Sequence, residues 1–292
     1  MRPHLAAVVL NFRTPLDTVL AVKALLASER RIDRIIVVDN DAVESVREML
    51  TPLPERVTYL LTGRNLGFSG GVNLGIRDAL ARGADRVLLV NSDVIVPPDC
   101  VGSLESAVEK TDVGIAGPAI VSRADPGWVA SLGMTYSPRT GRMRHTGVGR
   151  RLSAGETVPS GVVDGVSGCV MLVRRDVFDA VGLFFEPYFF SFEDLDFCLA
   201  ARRAGFRTLL AGDALAYHEG GKSIGAGAPI RLYFGTRNHL MLARRHGGSV
   251  GIVVLLNLAH AVRAQGGSIA ARIGAVLTGV RDYLRGRSGA DG

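Results

Sequence analysis

Apolar runs of strand length alternate with segments of helical spacing through the first 120 residues. Residues 6–10, 34–38, 57–61, 87–90 and 113–120 are continuous apolar runs, the pattern of strands covered on both faces. Between them, residues 15–27, 43–50, 71–81 and 98–110 place apolar side chains at helical intervals. The alternation predicts βαβ units and a largely parallel sheet, an α/β fold. Near Asp125 the regularity breaks. Two polar β-like segments within 134–148 flank Pro138-Arg139-Thr140-Gly141, which predicts a hairpin. A strand at 169–174, a helix at 192–204, a strand at 214–217 and a helix at 231–246 follow, the last punctuated by Gly247-Gly248. Two further helical stretches cover 249–265 and 268–285. The expected organisation is an α/β domain over residues 1–246 and a helical segment over 247–292.

Composition narrows the class. With 47% apolar and 21% charged residues in 292, the chain is an ordinary globular mixture long enough to bury a full core. The net charge is +6, and residues 244–292 hold seven Arg against two Asp, so the excess is concentrated at the C-terminus. No Arg/Lys-rich stretch is interleaved with aromatics, which argues against a nucleic-acid partner. Cys100, Cys169 and Cys198 form no CxxC pair, so neither a disulfide framework nor a thiolate zinc site is expected, and a reducing, cytoplasmic compartment is. The apolar run at 5–10 is too short for a signal peptide, and the run at 250–262 falls short of the ~20 residues that span a bilayer. The basic C-terminal segment is compatible with two placements: lying on the anionic inner face of the plasma membrane as a peripheral anchor, or docking on the α/β domain with its arginines solvated.

Ligands of open α/β sheets bind at the carboxyl ends of strands. Three predicted strands end in polar groups there: Asp39-Asn40, Asn91-Ser92-Asp93 and His218-Glu219. Any one of these is explained equally well as a helix cap or turn former; three on one rim favour a site. Residues 63–75, dense in Gly and Asn, lead into a helix and suit close backbone approach to a phosphate, although the spacing is not that of a dinucleotide fingerprint. Gly221-Lys222-Ser223 imitates the end of a P-loop, but Ala216 stands where its first glycine belongs and Pro229 follows, so an NTPase is rejected. Glu193, Asp194 and Asp196 crowd the first turn of a helix after four aromatics within 188–192. Ser191 with Asp194 fits a capping box, and acids there offset the helix dipole. The aromatics are instead suited to walling a sugar pocket in which one carboxylate takes a proton from an attacking hydroxyl. His218 with Asp93 and phosphate oxygens would suit Mg²⁺ or Mn²⁺.

These residues resemble the family 2 glycosyltransferases of GT-A fold, most closely a bacterial rhamnosyltransferase-type branch. The resemblance runs over residues 6–246. It rests on V-V-L-N-F at 8–12, V-V-D-N at 37–40, N-L-G-F-S-G-G-V-N-L-G at 65–75, L-V-N-S-D-V at 89–94, S-G-C-V-M-L-V-R-R from 167, V-G-L-F-F-E-P-Y-F-F-S-F-E-D-L-D-F at 181–197 and His218. It implies a Rossmann-like, mostly parallel mixed sheet and a donor that is a dTDP-, UDP- or GDP-sugar, with rhamnose a candidate. Asn11 and Asp39 would hold base and ribose; Phe12, Asn40, Arg64, Asn65, Gly67, Asn73, Asn91 and Ser92 would complete the nucleotide-sugar side. Asp93, in a variant of the Asp-x-Asp motif whose first acid is Asn91, and His218 would hold the divalent metal. Asp194 would be the general base of an inverting transfer, with Glu193, Phe190 and Arg237 on the side of a glycan or lipid-linked acceptor in cell-surface polysaccharide synthesis. Arg237-Asn238 falls where the branch carries a similar pair. Phe185 replaces an aspartate of the usual pattern, a change expected to alter the acceptor side. The rival readings are a sugar-nucleotide-binding scaffold without catalysis and a sugar nucleotidyltransferase, the latter disfavoured by the lack of a basic, Gly-rich N-terminal loop.

Overall fold

The computed structural model describes residues 2–44, 46–153, 156–220 and 228–290. In chain order the elements are β1 (Leu5–Asn11), α1 (Pro15–Leu26), β2 (Arg34–Asp39), β3 (Val57–Leu61), α2 (Gly67–Ala81), β4 (Arg86–Asn91), β5 (Val94–Ile95), α3 (Cys100–Val108), β6 (Val113–Ser122), β7 (Val129–Ser131), β8 (Met134–Tyr136), β9 (Met143–His145), β10 (Gly161–Val163), β11 (Val170–Arg174), α4 (Arg175–Val181), α5 (Glu193–Arg203), β12 (Arg207–His218), α6 (Pro229–His246), α7 (Val250–Arg263) and α8 (Ile269–Leu284). The main sheet runs β10-β12-β6-β11-β4-β1-β2-β3, with β5 added to β12 and β7 to β6. Its β4-β1-β2-β3 half is parallel, whereas β11 is antiparallel to both β4 and β6.

Period-2 alternation divides the central strands between two apolar layers. Ala7, Val9, Ile35, Val37, Leu88 and Val90 face α1 and α3, packing with Val22, Leu25, Val101 and Leu104. Ala6, Val8, Ile36, Val38, Val87 and Leu89 face the other way, onto Val72 and Ile76 of α2 and Phe197 and Ala201 of α5. Burial on both faces is why these strands read as unbroken apolar runs rather than alternating ones. α2 is rich in glycine, a poor helix former, and packing explains it. A Cβ on Gly71 or Gly75 would lie 2.4 Å from Leu10 Cδ1 or Val8 Cγ1, so the glycines let the helix approach β1 closely.

Two expectations are corrected. Among the described residues of 43–50 a 3₁₀ turn, Glu48–Leu50, stands in place of the expected helix; of these, Val46 and Leu50 reach the core, too few to anchor more. The strand expected at 214–217 extends back to Arg207, because a register shift between Ala211 and Leu215 keeps one long strand paired to β6. The hairpin appears as β8 and β9. The P-loop imitation at 221–223 lies outside the described residues.

α6, α7 and α8 pack together over the catalytic face. Val253 meets Leu240 and Ala243, and Ala261 and Val276 meet Leu232, Tyr233 and Phe234. Gly279 lets α8 settle onto α6, since a Cβ there would lie 2.7 Å from the Tyr233 carbonyl oxygen. Among the described residues no helix is long and apolar enough to cross a membrane. All three cysteines are buried and free, and burial pushes their thiols up to about 12, so they stay protonated.

Candidate active site

Parallel pairing brings three strand ends level: Asn11 lies opposite Asp39, and Leu10 opposite Asn91. Asn11 Nδ2 donates to Asp39 Oδ1 (2.7 Å), and the Tyr59 hydroxyl donates to Asp39 Oδ2 (2.7 Å). The Asn11 side-chain oxygen Oδ1 accepts from Thr18 Oγ1 (2.8 Å) and the Thr14 N–H (3.2 Å). Burial first, then the neighbouring Asp39 carboxylate, raises the Tyr59 hydroxyl well above its ordinary range, so it remains a donor. Asn11 and Asp39 are fully buried and bonded to each other beneath the rim.

The glycine-rich segment is held in the same manner. Asn40 Nδ2 donates to Asn65 Oδ1 (3.2 Å) and the Gly67 carbonyl (3.0 Å), while its oxygen accepts from the Leu66 N–H. The N–H groups of Gly67 and Phe68, at the start of α2, are taken by Asn65 Oδ1 and the Phe189 carbonyl, which differs from the expectation of a free helix end offered to phosphate. Gly67 has φ +72°, and a Cβ on it would lie 2.4 Å from that same carbonyl, so only glycine suits the junction. Asn73 grips the backbone N–H and C=O of Phe184 and also donates to Glu186. Arg64 is exposed at the segment's outer edge, and Phe12 lies half-buried under the Arg13 guanidinium.

Asp93 sits in the turn between β4 and β5, and its Oδ1 is 3.3 Å from Nε2 of His218 at the end of β12. β5 pairs with β12 at this point, opposing Val94 to His218. Ser92 shares a hydrogen bond with the Thr14 hydroxyl (2.7 Å). Among the described residues no group of three His, Cys, Asp or Glu side chains converges on one point. One carboxylate and one imidazole, completed by diphosphate oxygens and water, are a donor set suited to Mg²⁺ or Mn²⁺.

The acidic pair opens α5. Preceding it, Phe189, Ser191 and Phe192 all have positive φ (62°, 73° and 74°), each costing about 1–3 kcal/mol for a non-glycine residue. The expected capping box does not form. Phe192 is the N-cap, and it makes no side-chain cap bond. The Asp194 carboxylate instead accepts from the Gly168 N–H (3.1 Å) and the Leu195 N–H (2.8 Å). Glu193 is 7% exposed, and its Oε2 has no partner. Burial, and secondarily the Asp194 charge, pushes Glu193 up to about 8, so it is protonated at neutral pH.

α6 supplies what holds this strained loop. Asn238 Nδ2 faces the carbonyls of Tyr188 (2.8 Å), Phe190 (2.6 Å) and Ser191 (3.1 Å). Arg237 is 0% exposed and donates to the carbonyls of Tyr188 and Gly289. The expectation that Arg237 faces the acceptor is therefore corrected: its guanidinium is spent inside the protein, tying α6 to the loop and to the C-terminal tail. Asp196, the third acid, is structural as well. It accepts from Tyr188, Arg245 and His246; burial alone would raise its carboxyl, but the bonds from His246 and Arg245 hold it below the usual range. Phe185 stands edge-on to Tyr188 under the Arg245 guanidinium (4.0 Å), bracing this hub instead of lining the cavity. His239 stacks on Phe192 (4.9 Å), donates from Nε2 to the Gly141 carbonyl and accepts from Asn257 at Nδ1, so it links the hairpin, the loop and α7. Burial lowers its pKa, in keeping with that neutral tautomer. His239 was not singled out from sequence, and the structural roles of Asp196, Asn238 and Gly168 were not foreseen; for the first three of these side chains the signal is a polar residue at a core-facing helical position.

Phe190, Glu193, Asp194, Asn91 and His218 all line one cavity of about 670 Å³, closed on its far side by β9, α6 and α7. The proposed base and one proposed metal ligand thus share a chamber large enough for a sugar and part of an acceptor. Asn11, Phe12, Asp39, Asn40, Arg64, Asn65, Gly67, Asn73, Ser92, Asp93 and Arg237 do not line it.

A mixed sheet with a reversed β11, an Asp-His pair beside the β5–β12 pairing and a helix with three acids in its first turn over a cavity match the architecture of the GT-A glycosyltransferases. Residues 3–232 match the glycosyltransferase-like family 2, and the chain belongs to that family. It is 23% identical over 254 residues to the dTDP-rhamnosyl transferase RfbF of Shigella flexneri, covering 84% of this chain and 82% of that one. It is 33% identical over 182 residues to the galactofuranosyltransferase GlfT1 of Mycolicibacterium smegmatis, covering 61% of this chain and 58% of that one. The fold is similar to that of the mannosyltransferase PcManGT of Pyrobaculum calidifontis in complex with GDP-Man and Mn²⁺, with TM-score 0.61, 13% identity and coverage of 97% and 88%.

Proposed function

We propose that this glycosyltransferase moves a hexosyl group, with rhamnose the leading candidate, from a nucleotide-diphosphate sugar to a hydroxyl of a glycan or lipid-linked acceptor, with inversion. The observation that carries the reading is the placement of the Asp194 carboxylate, fixed by the Gly168 N–H, in the cavity that His218 and Asn91 also line. In the transfer step the acceptor O–H bond breaks towards Asp194, the acceptor oxygen bonds to the anomeric carbon, and the bond from that carbon to the diphosphate breaks with its electron pair leaving on the phosphate. Asp93 and His218 would hold the divalent metal, which when bound offsets charge on the leaving diphosphate. Protonated Glu193 donates a hydrogen bond to an acceptor oxygen and adds no second negative charge beside Asp194.

The donor kind follows the relatives: RfbF is a dTDP-rhamnosyl transferase, and PcManGT was solved with GDP-Man and Mn²⁺. Use at a membrane surface, in cell-surface polysaccharide synthesis, is supported by the exposed apolar residues Ile252, Leu255 and Val262 on α7 and Leu284 on α8, close to arginines. The test is a thermal-shift panel of UDP-, dTDP- and GDP-sugars with Mn²⁺, Mg²⁺ or EDTA. One nucleotide class is expected to raise the melting temperature in a metal-dependent way; no shift with any donor in any metal would sink the reading.

A further inference from the structure

The cavity is acidic only where α5 begins. Its other walls carry cations from elements far apart in sequence: Arg142, Arg144 and His145 on the β8–β9 hairpin, Arg231 on α6, and His260 and Arg263 one turn apart on α7. Arg142, Arg144, His260 and Arg263 are exposed to the cavity and to solvent. Among the described residues no carboxylate pairs with Arg142, Arg144 or Arg263, whereas Arg174, Arg202 and Arg207 elsewhere on the surface each hold an aspartate.

The placement is fixed by structure and not by chance exposure. Gly141 at the hairpin tip lies against Val253 and Ala243, and its carbonyl accepts from His239, which in turn is bonded to Asn257 of α7. The hairpin and α7 are thereby held as two facing walls. Like charges gathered in a concave site repel one another, and an anion relieves the repulsion. Guanidinium groups in particular fit phosphate oxygens through paired N–H donors. Leu255 (66% exposed) and Val262 (53% exposed), two turns apart on α7 and outside the cavity lining, leave an apolar strip on the helix that carries His260 and Arg263.

We propose that Arg142, Arg144, His260 and Arg263 form a binding site for a phosphate group carried by the acceptor, so that the sugar is transferred to a hydroxyl of a phosphate ester. This rests on the transferase reading above, since an acceptor whose hydroxyl reaches Asp194 fills the same cavity. These cations stand on β9, the turn before it and α7, whereas Asp93 and His218, which would mark the donor's diphosphate position, stand after β4 and at the end of β12. Two sources carry this chemistry, a lipid-linked phosphate and a soluble sugar phosphate, and the apolar strip suits the first.

The experiment is titration calorimetry on the full chain in EDTA, with farnesyl diphosphate, farnesol and glucose 1-phosphate as probes. In parallel, dTDP-, UDP- and GDP-sugars are titrated with Mn²⁺. Wild type is expected to bind a phosphate probe without metal and to ignore farnesol, and Arg142→Gln/Arg263→Gln is expected to weaken that binding at least tenfold while melting like wild type. Tighter binding of farnesyl diphosphate assigns the lipid-linked source; tighter binding of glucose 1-phosphate assigns the soluble one. Equal affinity of variant and wild type, or no phosphate binding by wild type, overturns the proposal. If donors still bind with Mn²⁺ in that case, only the acceptor site is lost; if no donor binds either, the transferase reading fails with it.

Discussion

The two ends of the catalytic face treat their polar side chains in opposite ways. At the nucleotide end, Asn11, Asp39, Asn40 and Asn73 are buried and bonded to one another, to Tyr59 or to the backbone of neighbouring loops. At the cavity end, Glu193 keeps a buried oxygen without a partner, three arginines pair with no carboxylate among the described residues, and three residues of the loop before α5 are held at positive φ. A satisfied network stabilises the fold and fixes shape, whereas groups left unsatisfied at a stability cost mark where a substrate will supply the missing partners. In this structure the motif residues at the first end carry framework bonds, and the proposed transfer chemistry is placed at the second.

The largest expected effect breaks the comparison at its active end. Asp194→Asn keeps the shape and the acceptance from the Gly168 N–H but removes the base, so transfer is expected to fall by about 10²–10⁴-fold, measured as turnover of donor with acceptor. Donor binding in Mn²⁺ is expected to be unchanged, and an unchanged turnover would reject the assignment. Next in size is Asn238→Ala. It removes the amide that faces three carbonyls of the strained loop, one buried and two part-buried, with an expected loss of about 1–3 kcal/mol, read from the midpoint of urea unfolding. Because the loop carries Glu193 and Asp194, activity should fall with stability; a variant that loses activity with no change in midpoint would show that Asn238 acts on substrate and not on the loop.

How much of this was legible in the sequence follows the same divide. The central strands were readable because both faces are covered, which leaves Ile35-Ile36-Val37-Val38 and Val87-Leu88-Leu89-Val90 as continuous apolar runs. Asp93, His218, Glu193 and Asp194 stood out as candidates because polar ends on three strands of one rim, and three acids in one helix turn, exceed what caps and turns require. The roles of Gly71, Gly75, Asn40 and Asn73 were not, since a close approach to a ligand and a close approach to β1 demand the same residue types. Arg237 and Asn238 were opaque for another reason. Their partners are backbone carbonyls some 50 residues away in a loop whose conformation no local pattern encodes. The hairpin at 134–148 was visible as a turn signal, but that it forms a wall of the cavity depends on the docking of α7.

The smallest expected effect sharpens the comparison by giving its two ends opposite signs. Glu193 has a folded-state pKa of about 8, above its unfolded value near 4.5, owing to burial and then to Asp194. Between those two pH values the native state holds a proton that the unfolded state has released, so raising the pH favours unfolding. Stability on this account is fully present below about pH 4.5 and is lost as pH climbs through 8. Glu193→Gln cannot ionise and should abolish that slope, melting with wild type at pH 4.5 and above it at pH 8.5. At the other end, Asn11→Ala removes one donor from the Asp39 carboxylate and should lower stability across the same range by about 1–3 kcal/mol. Calorimetric melts of both variants at the two pH values decide the point: if Glu193→Gln also destabilises at pH 8.5, its carboxyl is paired in the native state, and the contrast between a satisfied and an unsatisfied end does not hold.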